Sequence, residues 1–155
     1  MRDAVNIVKL VRELAQRPRG RACIVLTHDY GDQKDWAAEL AHQTNNEQIN
    51  LLDLFTQDSE LAAQVSSFSV HSLFDFLKNY RNSPVLIVSG WEFLKAAWAA
   101  QPNALHEFAS RVERWQQSPA LLLLIQFDPM LATIKFTRFP HLTFVVDQKE
   151  TLALT

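Results

Sequence analysis

The sequence predicts an α/β protein with a mostly parallel, five-stranded sheet and helices on both faces, giving three layers. Short apolar segments that suit buried strands alternate with longer segments whose apolar residues recur every three or four positions. Such alternation is typical of parallel strands joined by crossover helices. A chain of 155 residues can bury a sizeable core, so we expect residues 1–155 to form one domain.

Five segments are predicted as strands because they are short, apolar and bounded by turn-forming residues. They are residues 22–26, 49–54, 85–88, 120–126 and 142–146, and residues 151–154 are a candidate for one further strand. The predicted helices are an N-terminal helix at 2–17 and helices at 35–43, 58–65, 69–80, 91–100 and 104–117. Residues 127–139 are expected to be irregular or briefly helical.

Composition argues against several classes of function. The net charge of −2 gives no global field that would attract nucleic acid or a membrane surface. The single cysteine, Cys23, excludes an internal disulfide and, within an apolar run, is expected to be a buried structural thiol. No segment has the length of a membrane span or of a signal-peptide core, so we expect a cytoplasmic protein with no membrane contact.

A polar segment follows the first predicted strand, where many nucleotide-binding proteins hold phosphate. Aligned with G-x-x-x-x-G-K-[ST], residues 28–35 place Lys34 on the lysine. His28 and Gln33 stand at the two glycine positions, and Asp35 stands at the hydroxyl position. The nucleotide-binding candidates are therefore His28, Gly31, Lys34 and Asp35. The alternative is an ordinary helix start capped by its own carboxylates, with Lys34 on the surface.

The third predicted strand ends in Ser89-Gly90, where hydrolytic P-loop enzymes carry an acidic residue. Glu92 lies two positions further along and could reach this place through a shifted turn. Gln126, at the end of the fourth strand, fits a polar sensor position. The five histidines show no ligand spacing, so we assign no metal site, and we assign no catalytic residue.

Aromatic and basic residues near the strand ends suggest a surface for partners. Trp36, Trp91 and Trp98 follow the first and third strands. Most of the tryptophans are expected to lie in the core, and one or two that are exposed near the strand ends would anchor a protein partner. Glu92 and Arg138 complete the interaction candidates. The basic cluster at residues 17–21 could contact DNA or another anion, although surface arginines are common.

The pattern as a whole resembles the small P-loop proteins of BREX-type phage-defence systems, the short F component. The similarity covers most of the chain, and it rests on the P-loop position near residue 30 and on several apolar segments. These segments are Ile49-Asn-Leu-Leu-Asp-Leu-Phe55, Glu60-Leu61, Leu73-Phe-Asp-Phe-Leu77, Val85-Leu-Ile-Val88, Phe108-Ala-Ser-Arg111 and Thr143-Phe-Val-Val-Asp147. The resemblance implies a RecA-like P-loop NTPase fold, with an ATP-binding role that maps onto Gly31 and Lys34 only.

These observations predict a non-catalytic P-loop-like component of a prokaryotic antiviral defence assembly. Its expected partner is a larger ATPase, another defence component or a second copy of itself, with DNA contacted only through the complex. No cofactor is expected, although weak ATP binding is left open. The alternatives are an active or regulated NTPase with an atypical phosphate loop, and a stand-alone inhibitor or DNA-contacting module.

Overall fold

The computed structural model describes residues 4–154 and has an α/β architecture with an all-parallel sheet of five strands, as the sequence predicts. The strands are β1 (Ala22–Thr27), β2 (Glu47–Asn50), β3 (Val85–Ser89), β4 (Ala120–Gln126) and β5 (Val145–Asp147). Their order across the sheet is β2-β3-β4-β1-β5. The carboxyl ends of all five strands therefore lie along one edge of the sheet.

Helices cover both faces of this sheet. They are α1 (Ile7–Gln16), α2 (Tyr30–Thr44), α3 (Leu51–Gln57), α4 (Ser59–Ala63), α5 (Val70–Leu77), α6 (Glu92–Ala97), α7 (Ala104–Arg114) and α8 (Pro129–Thr133), with 3₁₀ turns at Val65–Ser67 and Gln148–Glu150. Apolar residues of α1 and α2 pack on one face, whereas α3, α5, α6, α7 and α8 contribute to the core on the other. None of the helices within residues 4–154 has the length and apolar character needed to cross a membrane.

The central strands are covered on both faces of the sheet, so successive side chains along a strand pack into two different cores. Along β1, Ile24 packs with the core under α7, and its neighbours Cys23 and Val25 pack with the core under α1 and α2. Burial raises the pKa of the Cys23 thiol to about 12, against a small opposing effect of Arg17. This agrees with a structural thiol rather than a reactive one.

Several predicted element boundaries are wrong: β5 begins at Val145 rather than at 142, and α5 and α7 end at Leu77 and Arg114, each three residues before the predicted end. Two further errors lie at the carboxyl edge of the sheet. The helix expected at 35–43 begins at Tyr30, because Asp29 caps it by accepting a hydrogen bond from the Gly31 N–H at 3.0 Å. The strand expected at 49–54 ends at Asn50, whose side chain accepts a hydrogen bond from the Asp53 N–H at 3.0 Å and so starts α3. Two helices thus begin where the sequence predicts loop and strand.

Segments near the two ends of the described chain pair with each other. Residues 151–154 form no strand of their own; Thr151 makes a single parallel bridge to Val5. The Leu152 N–H donates to the Val5 carbonyl at 2.8 Å, and the Val5 N–H donates to the Glu150 carbonyl at 2.7 Å. The N-terminal helix begins at Ile7 after the cap Asn6, and residues 2 and 3 of its predicted range lie outside the described residues.

Candidate functional site

The connection between β1 and α2 contains only two residues, His28 and Asp29. A phosphate-binding loop needs a longer segment whose free N–H groups curve around the anion. Here Gly31, Lys34 and Asp35 all lie within α2, and the Asp29 carboxylate already occupies the Gly31 N–H. The segment is therefore a capped helix start, in agreement with the alternative left open above.

Lys34 forms an ion pair with Asp53, in the first turn of α3 beyond the end of β2. Its side chain is 57% exposed and that of Asp53 is 42% exposed, so solvent screens the pair. The lysine thus links two helices on the surface. The structure does not bring it together with His28, which lies on the β5 side of β1.

Gln33 lies at the carboxyl edge of the sheet and bridges β1 and β3, the two strands on either side of β4. Its side-chain amide is buried and donates to the Thr27 hydroxyl and to Glu92 Oε2, both at 2.9 Å. Its carbonyl oxygen accepts the Gly90 N–H at 2.9 Å. One glutamine therefore joins the end of β1, the end of β3 and the start of α6.

Glu92 completes this network, and its carboxylate does reach the strand ends. Oε2 accepts the N–H of Gln126, at the end of β4, at 2.8 Å, in addition to the amide of Gln33. Glu92 Oε1 is buried with no hydrogen-bond partner among the described residues, and the same is true of the indole Nε1 of Trp91. One oxygen of the Glu92 carboxylate therefore accepts two hydrogen bonds, and the other is buried without a donor.

Ser89 and Gly90 form a close contact with β2 rather than an acidic site. The Asn50 amide donates to the Ser89 hydroxyl at 3.2 Å. Gly90 has a φ of +70°, and a Cβ added there would lie 2.5 Å from Asn50 Oδ1. Glycine is therefore required both for the backbone conformation and for the approach of Asn50.

A histidine–carboxylate pair joins the ends of β1 and β5. His28 Nε2 lies 2.9 and 3.0 Å from the two oxygens of Asp147, and the imidazole stacks on Phe127 with a centroid distance of 5.2 Å. Phe127 is 43% exposed, so this aromatic stack is open to solvent. The pair therefore fastens two strand ends together and exposes an aromatic ring.

Two carboxyl groups at this edge have pKa values shifted in opposite directions. Burial alone would raise the pKa of Asp128, but the Lys95 ammonium and the N–H groups of Leu131 and Met130 hold it below its usual range. The pKa of Asp32 is raised, because its exposed carboxyl group hydrogen-bonds with that of Asp29 and is repelled by it. One carboxylate is thus stabilised internally, and the other lacks a cation.

The interaction candidates lie in different places. Trp91 and Trp98 are buried, and the Trp98 indole donates to the Phe68 carbonyl at 2.7 Å, so neither can anchor a partner in this conformation. Trp36 is half-buried and lines a cleft of about 580 Å³ between α2 and residues 148–154. Arg138 lies at the opposite edge of the sheet, where its N–H donates to Glu113 near the end of α7.

Two of the three arginines in the basic cluster at residues 17–21 have a structural role. Arg17 donates to the carbonyls of Gly20 and Thr143, and Arg21 donates to those of Ala15, Arg17 and Gln117. These guanidinium groups hold together the loops that enter β1, β4 and β5. Only Arg19 is left exposed without such contacts.

Comparison of the chain with protein-family models, with curated proteins and with solved structures finds no match. Within residues 4–154, no group of three or more histidine, cysteine, aspartate or glutamate side chains could hold a metal ion. The function must therefore be inferred from the contacts at the carboxyl edge of the sheet.

Proposed function

We propose that the protein is a non-catalytic, P-loop-like component of a prokaryotic antiviral defence assembly, and that it binds a larger ATPase or further copies of itself. The observation that carries the non-catalytic part is the buried Gln33, which fills the place between β1 and β3 with its own hydrogen-bonded amide. The defence context rests on the sequence resemblance to the short F component alone.

The strand order supports a P-loop-like ancestry. In RecA-like P-loop ATPases, too, β4 is inserted between β1 and β3, and β5 lies on the outer side of β1. The present sheet has this order and this parallel direction throughout. A shared architecture says nothing about chemistry, which depends on the groups at the strand ends.

The charges at those strand ends disfavour a nucleotide. A triphosphate placed before α2 would meet the exposed carboxylates of Asp29, Asp32 and Asp35, at the point where phosphate-binding proteins offer free N–H groups. The nearest cation, Lys34, is paired with Asp53. Binding would require Gln33 to leave its buried hydrogen bonds and Lys34 to leave its partner, with no charge to compensate.

The same edge has features that suit a protein partner. Phe127 is a large exposed aromatic ring, and Trp36 presents part of its indole in the cleft beside α2. Aromatic side chains surrounded by charged groups are frequent anchors of protein interfaces. We propose that Trp36 and Phe127 contact the partner.

A second candidate function is an ATP-binding NTPase with an atypical loop, and one observation favours it. The Glu92 carboxylate reaches the ends of β3 and β4, where a catalytic acid would lie, and its Oε1 lacks a partner among the described residues. In this alternative, Gln33 would swing out when nucleotide binds, and Glu92 would orient the attacking water.

Calorimetric titration separates the two candidates. ATP is added with and without Mg²⁺ to the wild type, to Lys34→Ala and to Glu92→Gln. The proposal predicts binding no tighter than about 1 mM in every case. Micromolar binding that is lost in Lys34→Ala, with an unchanged thermal midpoint, would establish the NTPase alternative instead.

Partner binding is tested by co-expression with the products of neighbouring genes. We expect the protein to co-purify with an ATPase, and the double variant Trp36→Ala/Phe127→Ala to lose the complex. Leu105→Ala, a half-buried position on α7 under the other face of the sheet, is the matched control and should retain it. Loss of the complex in the control alone would contradict the assignment of the surface.

A further inference from the structure

The two edges of the sheet carry opposite charges. Arginines precede four of the five strands: Arg81 before β3, Arg114 before β4, Arg19 before β1 and Arg138 before β5. Carboxylates lie at or just beyond the ends of all five strands: Asp53 after β2, Glu92 after β3, Asp128 after β4, Asp29 after β1 and Asp147 at the end of β5. The overall charge of −2 hides this polarity.

Most of the carboxylates at the carboxyl edge have partners within the chain. Asp53 pairs with Lys34, Asp128 with Lys95, and Asp147 with His28. No cation within residues 4–154 pairs with the group that remains on the outer face of α2. We call this group the α2 acidic face, and it consists of Asp29, Asp32 and Asp35, all of which are exposed.

The α2 acidic face borders the cleft lined by Trp36. Asp32 and Asp35 form one wall, Trp36 contributes an aromatic surface, and the exposed Leu152 and Lys149 lie among residues 148–154 on the other side. The carboxylates of Asp32 and Asp35 beside an aromatic ring favour guanidinium groups, which combine ion pairing with stacking on aromatic faces. The raised pKa of Asp32 reflects the crowding that such a cation would relieve.

Arginines at the amino edge have the complementary property. Arg19, Arg81 and Arg114 are exposed and form no ion pair within the described chain. Two carboxylates lie nearby, and neither forms an ion pair with these arginines: Glu113 accepts the backbone N–H of Arg138, and Glu47 accepts the side-chain amide of Asn82. We call Arg19, Arg81, Arg114 and Arg138 the basic edge.

We infer that the protein associates with copies of itself head to tail, the basic edge of one copy docking on the α2 acidic face of the next. This names one partner of the carboxyl edge and so rests on the proposed function. A nucleic acid would match the basic edge alone, whereas a second copy matches both surfaces. Because the two surfaces differ and lie at opposite ends of the sheet, the contact is heterologous, and copies extend in a line or close into a ring.

Sedimentation velocity at about 0.1 M and about 1 M salt tests this inference, since the screening length falls from about 10 Å to about 3 Å over that range. We expect the average mass to rise with protein concentration at low salt and to stay at one chain at high salt. Asp32→Asn/Asp35→Asn and Arg19→Gln/Arg114→Gln should each weaken association about tenfold or more, as expected for the loss of two or more charge pairs.

Mixing the two double variants gives the sharpest result. Each variant keeps one intact surface, so the mixture should form a complex of one copy of each that does not grow further. The control Arg12→Gln/Glu13→Gln removes one charge of each sign from exposed positions of α1 and should associate as the wild type does. The thermal midpoint of each variant is measured to show that the variant is folded under the conditions of the association experiment.

Three results would overturn the inference. A wild type that is monomeric at low salt rejects it, as do assemblies that survive in either double variant. Salt-dependent binding of a fluorescent oligonucleotide by the basic edge, without self-association, would assign that edge to nucleic acid instead. None of these results depends on ATP affinity. The self-association inference and the proposed non-catalytic role are therefore tested independently of each other.

Discussion

The carboxyl edge of the sheet contains two neighbouring regions with opposite properties. Between β1 and β3, the Gln33 side chain is buried and makes three hydrogen bonds to other parts of the chain. On the outer face of α2, Asp29, Asp32 and Asp35 are exposed and lack cations within the described residues. The side chain of Gln33 is therefore structural, whereas the adjacent carboxylates are exposed to solvent and available for binding.

The largest expected effect comes from Gly90→Ala in the buried region. The new Cβ would overlap Asn50 in a backbone conformation with φ of +70°, so we expect the free energy of unfolding to fall by about 3 kcal/mol. Gly31→Ala is the matched control: its Cβ would lie 3.4 Å from Asp29 in an ordinary helix turn, and stability should rise by about 0.5 kcal/mol. Urea denaturation measures both, and equal losses would contradict the Asn50–Gly90 contact.

A smaller loss is expected for Gln33→Ala. The change leaves the buried Gly90 N–H without its acceptor and removes two hydrogen bonds from Thr27 and Glu92, at a cost of about 2 kcal/mol. Gln43→Ala on the same helix removes only a bond to Glu39 and should cost a few tenths of a kcal/mol. If the two variants unfold at the same urea concentration, Gln33 does not hold the strand ends together.

The two regions should also differ in how stability depends on pH. The folded pKa of Asp128 is lowered, so its contribution is present above the unfolded value of about 3.9 and is lost as the pH falls through the folded pKa. The folded pKa of Asp32 is raised, so its contribution is present below about 3.9 and is lost as the pH rises through the folded pKa.

Consequently, Asp128→Asn should lower stability at neutral pH by about 1 kcal/mol and flatten the loss of stability in acid. Asp32→Asn should raise stability at neutral pH and leave it unchanged in acid. The measurement is the thermal midpoint of each variant from about pH 2.5 to about pH 7, roughly the range in which carboxyl groups titrate. It gives the pH dependence of stability for each variant. If both substitutions raise the thermal midpoint at neutral pH, or both lower it, the proposed distinction between the two carboxyl groups is wrong.

The smallest expected effect is that of Lys34→Ala. Both partners of its ion pair with Asp53 are well exposed, so the loss should be below about 0.5 kcal/mol. The free energy of unfolding at low and high salt provides the measurement. A loss above about 1 kcal/mol would mean that the lysine has a structural role beyond this surface pair.

The sequence predicted the buried strands best. Residues 120–126 form β4 with the predicted bounds, since their continuous apolar run suits only a position covered on both faces. The start of α2 was missed because Asp29 and Gly31 look like loop residues, although aspartate is a good helix cap and glycine is tolerated in a first turn. The strand at 49–54 was overextended, because its apolar residues also fit the α3 helix that Asn50 begins.

The candidate site was less accessible from sequence. Neither the hydrogen bonds of Gln33 nor the burial of Trp91 leaves a pattern in the sequence, because both depend on how separate elements pack. The charge polarity can be read from the predicted strands and their parallel direction, because the loops that enter parallel strands share one edge of the sheet and the loops that leave them share the other. Sorting charged residues by the loops that enter or leave each strand is the signal that would have revealed it.

We propose that the chain's own side chains fill the position that a phosphate group would take in a P-loop protein. Nuclear magnetic resonance tests this most directly by following the backbone amides of Gly31, Asp32 and Gln33, in the first turns of α2, during a titration with ATP and Mg²⁺. If these side chains fill the phosphate position, the three resonances will show no saturable shift at ATP concentrations up to about 1 mM. A saturable shift of all three, absent in Lys34→Ala, would contradict it.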